Sequence, residues 1–509
     1  MARLLGVRAR TGRALVIGSG PNGLAAAITL AQAGAEVLVL EAAPTAGGAV
    51  ATEELTLPGF RHDSYSSVYP AAAASPVFES MPLERYGLRW VHPVACYAHP
   101  LEDGRGAALY RDVDRTAQSL DALAPGDGDS WRRFVAPWLE RFELLRDTLL
   151  GQFAPVRSGA RLTVGLRPRR LAELGRVALM PVQALAGELF ADAGARAWLY
   201  GSAMHGDVAP GASGSTLPAL FLNLLGHAVG WPSPEGGAER LTRALIGYLE
   251  SLGGVVRTDA EVVGVLADGH RTRGVVLADG TRLHGAIVIA DVMPGALARL
   301  AAAQLPPRYV AALRRYRAGP ATLKVDWALG GAIPWSAPEA RQAGTVHVGG
   351  SEEQVLRSTS PSAELRERPF MLLGQQSIAD ATRAPLGKHT AWAYTRGPQT
   401  VDWPAQADRH VERMEAEIER FAPGFRDLIL ARHVLTPADL ERRNANLIGG
   451  DVGGGSYSLD QALLRPMARL VPYRTPVRGL YLASAATFPG GAVHGVPGRA
   501  AARLALTGR

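Results

Sequence analysis

At 509 residues the chain is longer than one hydrophobic core usually serves, so two domains are expected. Apolar residues make up 47% and charged residues 20%, the balance of an ordinary globular enzyme rather than a fibrous or disordered chain. The net charge of +7 is carried by arginine, with Lys324 and Lys388 the only lysines. No basic run or RNA-binding signature accompanies that charge, so nucleic acid is not an expected partner.

Cys96 is the single cysteine, which excludes an intramolecular disulfide, a redox dithiol and a cysteine-based zinc cluster. The opening stretch "MARLLGVRARTGRALVIGSG" lacks a signal-peptide apolar core, and its apolar part reads as a strand. No apolar run reaches the ~18 residues of a membrane span. The nearest, Thr216 to Pro232, is broken by Asn223 and His227. A cytoplasmic location and no metal site are the expectations.

From Arg13 the chain reads "RALVIGSGPNGLAAAITLAQAGAEVLVLEAAPTAGGAV". Ala14 to Ile17 form a buried strand. Gly18-Ser19-Gly20-Pro21-Asn22-Gly23 fits G-x-G-x-x-G, a helix follows from Leu24 to Ala33, and Gly34 stops it. Val37 to Leu40 form a second strand ending on Glu41. Gly18 permits the turn, Gly20 the approach of a pyrophosphate, and Gly23 close packing of helix on strand. The helix N-terminus meets the phosphates with unsatisfied N–H groups and a partial positive charge. Glu41 is placed to accept from both ribose hydroxyls. Glycines alone would be a weak signal; strand, helix, second strand and terminal acid in register make dinucleotide binding the expectation.

Farther along, a helix from about Ala238 to Ser251 ends at Gly253-Gly254. Three short strands follow, split by the hairpin signals Asp268-Gly269 and Asp279-Gly280, and then the buried strand "GAIVIAD". Strands are expected at "TLKVDWAL", "TVHVGG", "FMLLGQQSI" and "HTAWAYTR", and an amphipathic helix from about Ala405 to Phe421. "LIGGDVGGGSYS" (Leu447 to Ser458) has no strand-to-helix frame and reads as a loop. Near the end, Leu480 to Ala483 form a strand and a helix opens near Val496-Pro497 after the glycine-rich turn "TFPGGAVHG".

The pair Gly47-Gly48, followed by Ala49, comes soon after Glu41-Ala42. This resembles the glycine-pair loop of the amine oxidase and phytoene desaturase flavoproteins, where it runs along the FAD pyrophosphate. "GLYLASAATFPGGAVHGVPGRAAA" resembles the C-terminal signature of phytoene desaturases and carotenoid isomerases, above all the relatives named for a pyridine nucleotide-disulfide oxidoreductase domain. The resemblance covers the N-terminal fingerprint, the "PEGG" to "IVIAD" block and this end. It implies FAD as the cofactor and an α/β fold: a Rossmann-like, glutathione-reductase-type domain with a second α+β substrate domain on an antiparallel sheet. The FAD-binding domain would take residues 1–80, 231–300 and 441–509. The substrate domain would take a helix-rich 81–230 and a sheet segment 301–440. Val262 would meet the adenine, and Gly490, Gly491, Val493 and His494 the flavin edge. The chain also departs from its relatives. Ala485 stands where amine oxidases keep an acid, and Phe488 replaces a histidine common before Pro-Gly-Gly in desaturases. Paired cysteines and a second nucleotide fingerprint are missing, so disulfide reduction is not expected.

For catalysis, His494 in the flavin-facing turn and His205 in "GSAMHGD" are the candidates, with Asp451 behind them and His62-Asp63 read as a loop-fixing pair. "TLPALFLNLLGHAVGW" is expected to line an apolar substrate site between the domains. Three readings stay open. One is a desaturase or dehydrogenase of an apolar isoprenoid, polyene or lipid-like substrate, with O2 or a quinone as acceptor. Another is a flavin-dependent oxidase or redox-neutral isomerase. The last is a non-enzymatic prenyl carrier of the dissociation-inhibitor type. The resemblance adds peripheral membrane attachment; oligomeric state is left open.

Overall fold

The computed structural model describes residues 13–153, 156–165, 168–206, 208–359, 365–462 and 464–508. The opening stretch read above as lacking a signal peptide lies, up to residue 12, outside the described residues.

The first sheet is built from five short apolar strands. In spatial order they are Leu480–Leu482, Ile287–Ala290, Ala14–Ile17, Val37–Leu40 and Val255–Arg257, and all pair in parallel. Alternate side chains serve two cores. Val16 packs with the helices Pro21–Gln32, Glu239–Ser251 and Val496–Thr507. Leu15 and Ile17 pack on the other face, against helix Pro294–Leu300 and the three-stranded antiparallel meander Val262–Asp268, Arg271–Leu277 and Arg282–His284. Burial on both faces is why these strands read as continuous apolar runs. Both Asp-Gly pairs fall between consecutive meander strands, as their turn chemistry requires. Val255–Arg257 is an extra strand, spent on the edge of the parallel sheet before the meander begins.

The second sheet has seven strands: Ile429–Leu435, Ala321–Leu329, His389–Gly397, Met371–Gly374, Ala343–Val348, Ala95–Pro100 and Gly106–Leu109, in spatial order. It is antiparallel except that Ala343–Val348 runs parallel to Ala95–Pro100. The antiparallel sheet expected from sequence is thus mixed at one contact. Ala95–Pro100 turns back into Gly106–Leu109, the chain then passes through the helices between Val113 and Ala228 and the nucleotide-binding sheet, and after re-entering this sheet at Ala321–Leu329 it supplies the parallel partner only at residue 343. Two of the seven strands arise from residues 81–230, where composition reads as helix. Leu323, Val325 and Trp327 point into a core closed by helix Trp403–Phe421. Across the alternation, Thr322 and Lys324, with Trp392, Tyr394 and Arg396 from the neighbouring strand, face a cavity shared with the first sheet.

Candidate active site

The cavity has a volume of about 1660 Å³. A pocket for one drug-sized ligand usually measures ~300–1,000 Å³. It opens at the carboxyl ends of the parallel strands, where Ile17, Leu40, Asp291 and Ser484 reach its wall. That is where open parallel sheets bind their ligands.

The glycine turn forms one end. Gly18, Gly20, Pro21 and Asn22 line the cavity, while Gly23 lies beneath and donates its N–H to Asp291 Oδ2 at 2.8 Å. A Cβ on Gly20 would stand 2.9 Å from that same Oδ2, and one on Gly23 would overlap the Gly18 carbonyl oxygen. Asn22 is buried, and its Oδ1 has no hydrogen-bond partner. Helix Val496–Thr507 lies against helix Pro21–Gln32 so closely that a Cβ on Gly498 would overlap the Asn22 carbonyl oxygen. Two helix N-termini therefore open side by side at one end of the cavity, each with a partial positive charge.

Glu41 ends its strand on the cavity wall. Its Oε2 accepts from Ser19 N at 2.9 Å and Ser19 Oγ at 2.6 Å, and its Oε1 from Ala43 N at 2.9 Å. An ionised carboxylate has about four acceptor sites. The protein occupies three, so Glu41 keeps room for one ribose hydroxyl, not the two expected. Ser19 Oγ also accepts from Gly47 N at 3.0 Å, which ties the glycine-pair loop to the first turn. Ala42, Gly48, Ala49 and Val262 line the cavity, whereas Gly47 (φ +125°) supports the loop from behind.

Gly491, Val493 and His494 line the wall formed by the C-terminal turn. Gly490 (φ +120°) turns away from it, toward Arg465. His494 corrects the sequence reading. Its Nδ1 accepts from Val496 N–H at 3.2 Å, its Nε2 lies 3.2 Å from the Gly491 carbonyl, and its own carbonyl accepts from Ser75 Oγ at 2.6 Å. Burial pushes its pKa down to about 4. The ring is neutral; it caps the helix and pins the turn.

His205 does reach the cavity. Its Nε2 lies 2.9 Å from His347 Nε2, on a ring stacked on Tyr97 with centroids 4.4 Å apart. Burial, and then the Arg396 charge, push His205 down to about 3, and burial holds His347 well below the ordinary range. An acid or base works best with a pKa near the working pH. Both histidine candidates are therefore neutral packing and hydrogen-bonding groups. Asp451 is a loop anchor, accepting from Gly319 N, Gly453 N and Gly455 N. His62 and Asp63 bond separately, to Thr56 Oγ1 and to Arg383 among others, and form no dyad.

The far end is apolar. Leu217, Phe221, Leu222 and Leu225 of helix Thr216–Ala228 line the cavity, while Ala219, Leu220 and Leu224 join the core behind. Its polar interruptions are satisfied: Asn223 bonds Tyr97, Ser202 and the Ala219 carbonyl, and His227 accepts from Trp131 Nε1 at 3.1 Å. Three polar groups escaped the sequence reading: Asp291, Lys324 on the cavity floor in an ion pair with buried Asp326, and Arg465. Only Asp291 left a trace, as the acid ending "GAIVIAD" much as Glu41 ends the second strand. Burial pushes the Cys96 thiol up to about 12, too high for thiolate chemistry.

Residues 16–82 match the NAD(P)-binding Rossmann-like domain family. A Rattus norvegicus protein named pyridine nucleotide-disulfide oxidoreductase domain-containing protein 2 is 28% identical over 96% of this chain and 92% of its own length. The neurosporene-forming phytoene desaturase of Rhodobacter capsulatus is 25% identical over 96% and 92%. Over nearly its whole length the chain is thus similar to proteins named as oxidoreductases and phytoene desaturases. In fold, an oxidoreductase from Methanosarcina mazei superposes with a TM-score of 0.66 at 17% identity, covering 98% of this chain and all of that one. The residues of the cavity fit a dinucleotide. A cradle that only glycine can form and two converging helix N-termini, with their unsatisfied N–H groups, meet the needs of a pyrophosphate.

Proposed function

We propose that the oxidoreductase holds one FAD along this cavity and dehydrogenates a largely apolar substrate at the far end. The observation that carries this reading is the continuity of the cavity. One wall is backbone N–H and glycine, and the opposite wall is Leu217, Phe221, Leu222, Leu225 and Trp231. Gly18, Gly20, Pro21 and Asn22 would take the pyrophosphate, Glu41 one ribose hydroxyl, Val262 the adenine, and the turn from Phe488 to Gly495 the isoalloxazine. FAD, when bound, supplies a two-electron acceptor for a hydride. The apolar helix excludes water and orients the reacting carbons. His205 and His494, the two histidines that reach the cavity, are held neutral by burial, and in this reading dehydrogenation rests on positioning rather than on strong acid–base catalysis. Overall the substrate loses a hydride and a proton to become an alkene, and O2 or a quinone takes up the two electrons and two protons.

Anaerobic addition of a saturated or partly saturated isoprenoid to the FAD-loaded chain tests this. The flavin should bleach and the product gain a double bond, without reoxidant. A conversion that proceeds with the flavin yellow throughout favours the redox-neutral isomerase reading.

We also propose that this end of the molecule meets a membrane surface. Helices Val156–Gly165 and Pro168–Leu179 are rich in exposed arginine: Arg161, Arg169, Arg170 and Arg176. Val164 and Leu179 stand 87% and 64% exposed, and Leu179 borders the cavity. Among the described residues no helix is long and apolar enough to cross a membrane. Surface arginines near an anionic leaflet each contribute ~1 kcal/mol. The chain should float with anionic liposomes, and V164D/L179D should float less. Native protein that stays at the bottom with every lipid composition refutes the attachment.

A further inference from the structure

We infer that Arg465 is the buried counter-charge of the flavin end of the cavity, placed to favour the negative charge that two-electron reduction brings to the ring. The inference rests on the FAD reading above and assigns a role to a residue outside the cavity lining.

The side chain is fully buried. Its Nε and Nη2 donate to Tyr316 Oη at 3.1 and 2.5 Å, and Nη2 also donates to the Gly454 carbonyl at 2.5 Å. Its guanidinium carbon lies 4.4 Å from the centre of the Tyr457 ring. Among the described residues no carboxylate lies within ion-pair distance of it. The two acids of this stretch are engaged elsewhere: Asp451 accepts from the N–H groups of Gly319, Gly453 and Gly455, and Asp460 pairs with Arg317. A guanidinium remains protonated at any working pH. Burying it without a counter-ion is costly, and such charges are ordinarily paired.

The direction of the charge is set by two contacts. Nη1 is buried without a hydrogen-bond partner, and a Cβ on Gly490 would stand 2.7 Å from it. Tyr457, whose ring covers the guanidinium, accepts from Gly491 N–H at 2.7 Å and lines the cavity. Arg465 thus lies directly behind the Gly490–Gly491 turn, separated from the cavity by one layer of backbone and one phenol. In a water-excluded site a fixed charge at that range acts with little screening. Reduction of a bound ring would supply the missing negative partner.

The test is the midpoint potential of the FAD-loaded full chain against a reference dye, for native protein, R465Q, R465K and R465H. R465Q should lower the equilibrium constant for two-electron reduction at least tenfold, ~30 mV. R465K should stay within threefold of native, because the charge remains. R465H should fall to the R465Q value at pH 5.5 and pH 8 alike, because an imidazole buried there without a carboxylate stays neutral, as His494 does. Unchanged potentials in R465Q and R465H would overturn the inference. Loss of oxidised FAD from R465K as well as R465Q would also overturn it, because it marks Arg465 as a brace for the loop at Gly454. A native chain that never binds FAD would instead be a failure of the cofactor reading.

Discussion

Replacing Gly498 with valine should weaken FAD binding by two to three orders of magnitude. Gly498 sits in the first turn of the last helix, and a Cβ there would overlap the Asn22 carbonyl oxygen and stand 3.0 Å from Ala26 N. A side chain fits only if the two helices separate at their N-termini. Overpacking of this kind costs ~1–3 kcal/mol. Moving the helix ends away from bound phosphates forfeits up to ~2 kcal/mol more in partly buried geometry. Together these reach ~3–5 kcal/mol where the full helix-end contribution is lost, with ~1.4 kcal/mol per tenfold in affinity. Titration of apoprotein with FAD measures the effect, and a melting curve separates lost binding from lost folding. Gly187, where a Cβ meets nothing within 4 Å, is the control: G187A should bind FAD as native does. Native affinity in G498V would show that the helix pair does not hold the cofactor.

Asp291→Asn should remove a pH dependence and strengthen binding in alkali. The Asp291 carboxyl lies under Gly20 and accepts from Gly23 N, and its main-chain oxygen accepts from Asn446 Nδ2. Burial raises its pKa to about 7; the Gly23 N–H opposes the rise and the Glu41 charge adds to it. In the unfolded chain an aspartate titrates near ~3.9. Between those values the native state carries a proton that the unfolded state lacks, so stability is greatest in acid and falls as pH rises toward 7. About three pKa units correspond to a loss of up to ~4 kcal/mol across that window. The ionised carboxylate also faces the pyrophosphate site, so native FAD affinity should drop between pH 6 and 8. Asparagine keeps an oxygen for Gly23 N–H but cannot ionise. D291N should therefore be more stable than native at pH 8 and bind FAD with little change from pH 6 to 8. A variant that melts lower at pH 8 and keeps the native slope would place the titration elsewhere.

The parts legible in the sequence were those whose physics is local. Ala14–Ile17 and Val37–Leu40 fall where the fingerprint puts them, because the glycine turn, its helix and the terminal acid all lie within thirty residues of each other. Val496 opens the last helix for the same reason: proline and glycine fix it locally. The rest depended on distant partners. Ala95–Pro100 is short, ends in proline and pairs with a strand near residue 345, so nothing around it announces a strand. Asp291 matters through Gly23, 268 residues away. His494 is neutral because the folded turn buries it, which no motif encodes. Glu41 carried the right chemistry for a ribose, but its sharing with Ser19 and Ala43 shows only in three dimensions.

Flavin content of the purified full chain tests the central claim most directly. The protein should be yellow, and denaturation should release one FAD per chain into solution with no flavin left attached. A colourless chain that added FAD does not turn yellow would contradict the account.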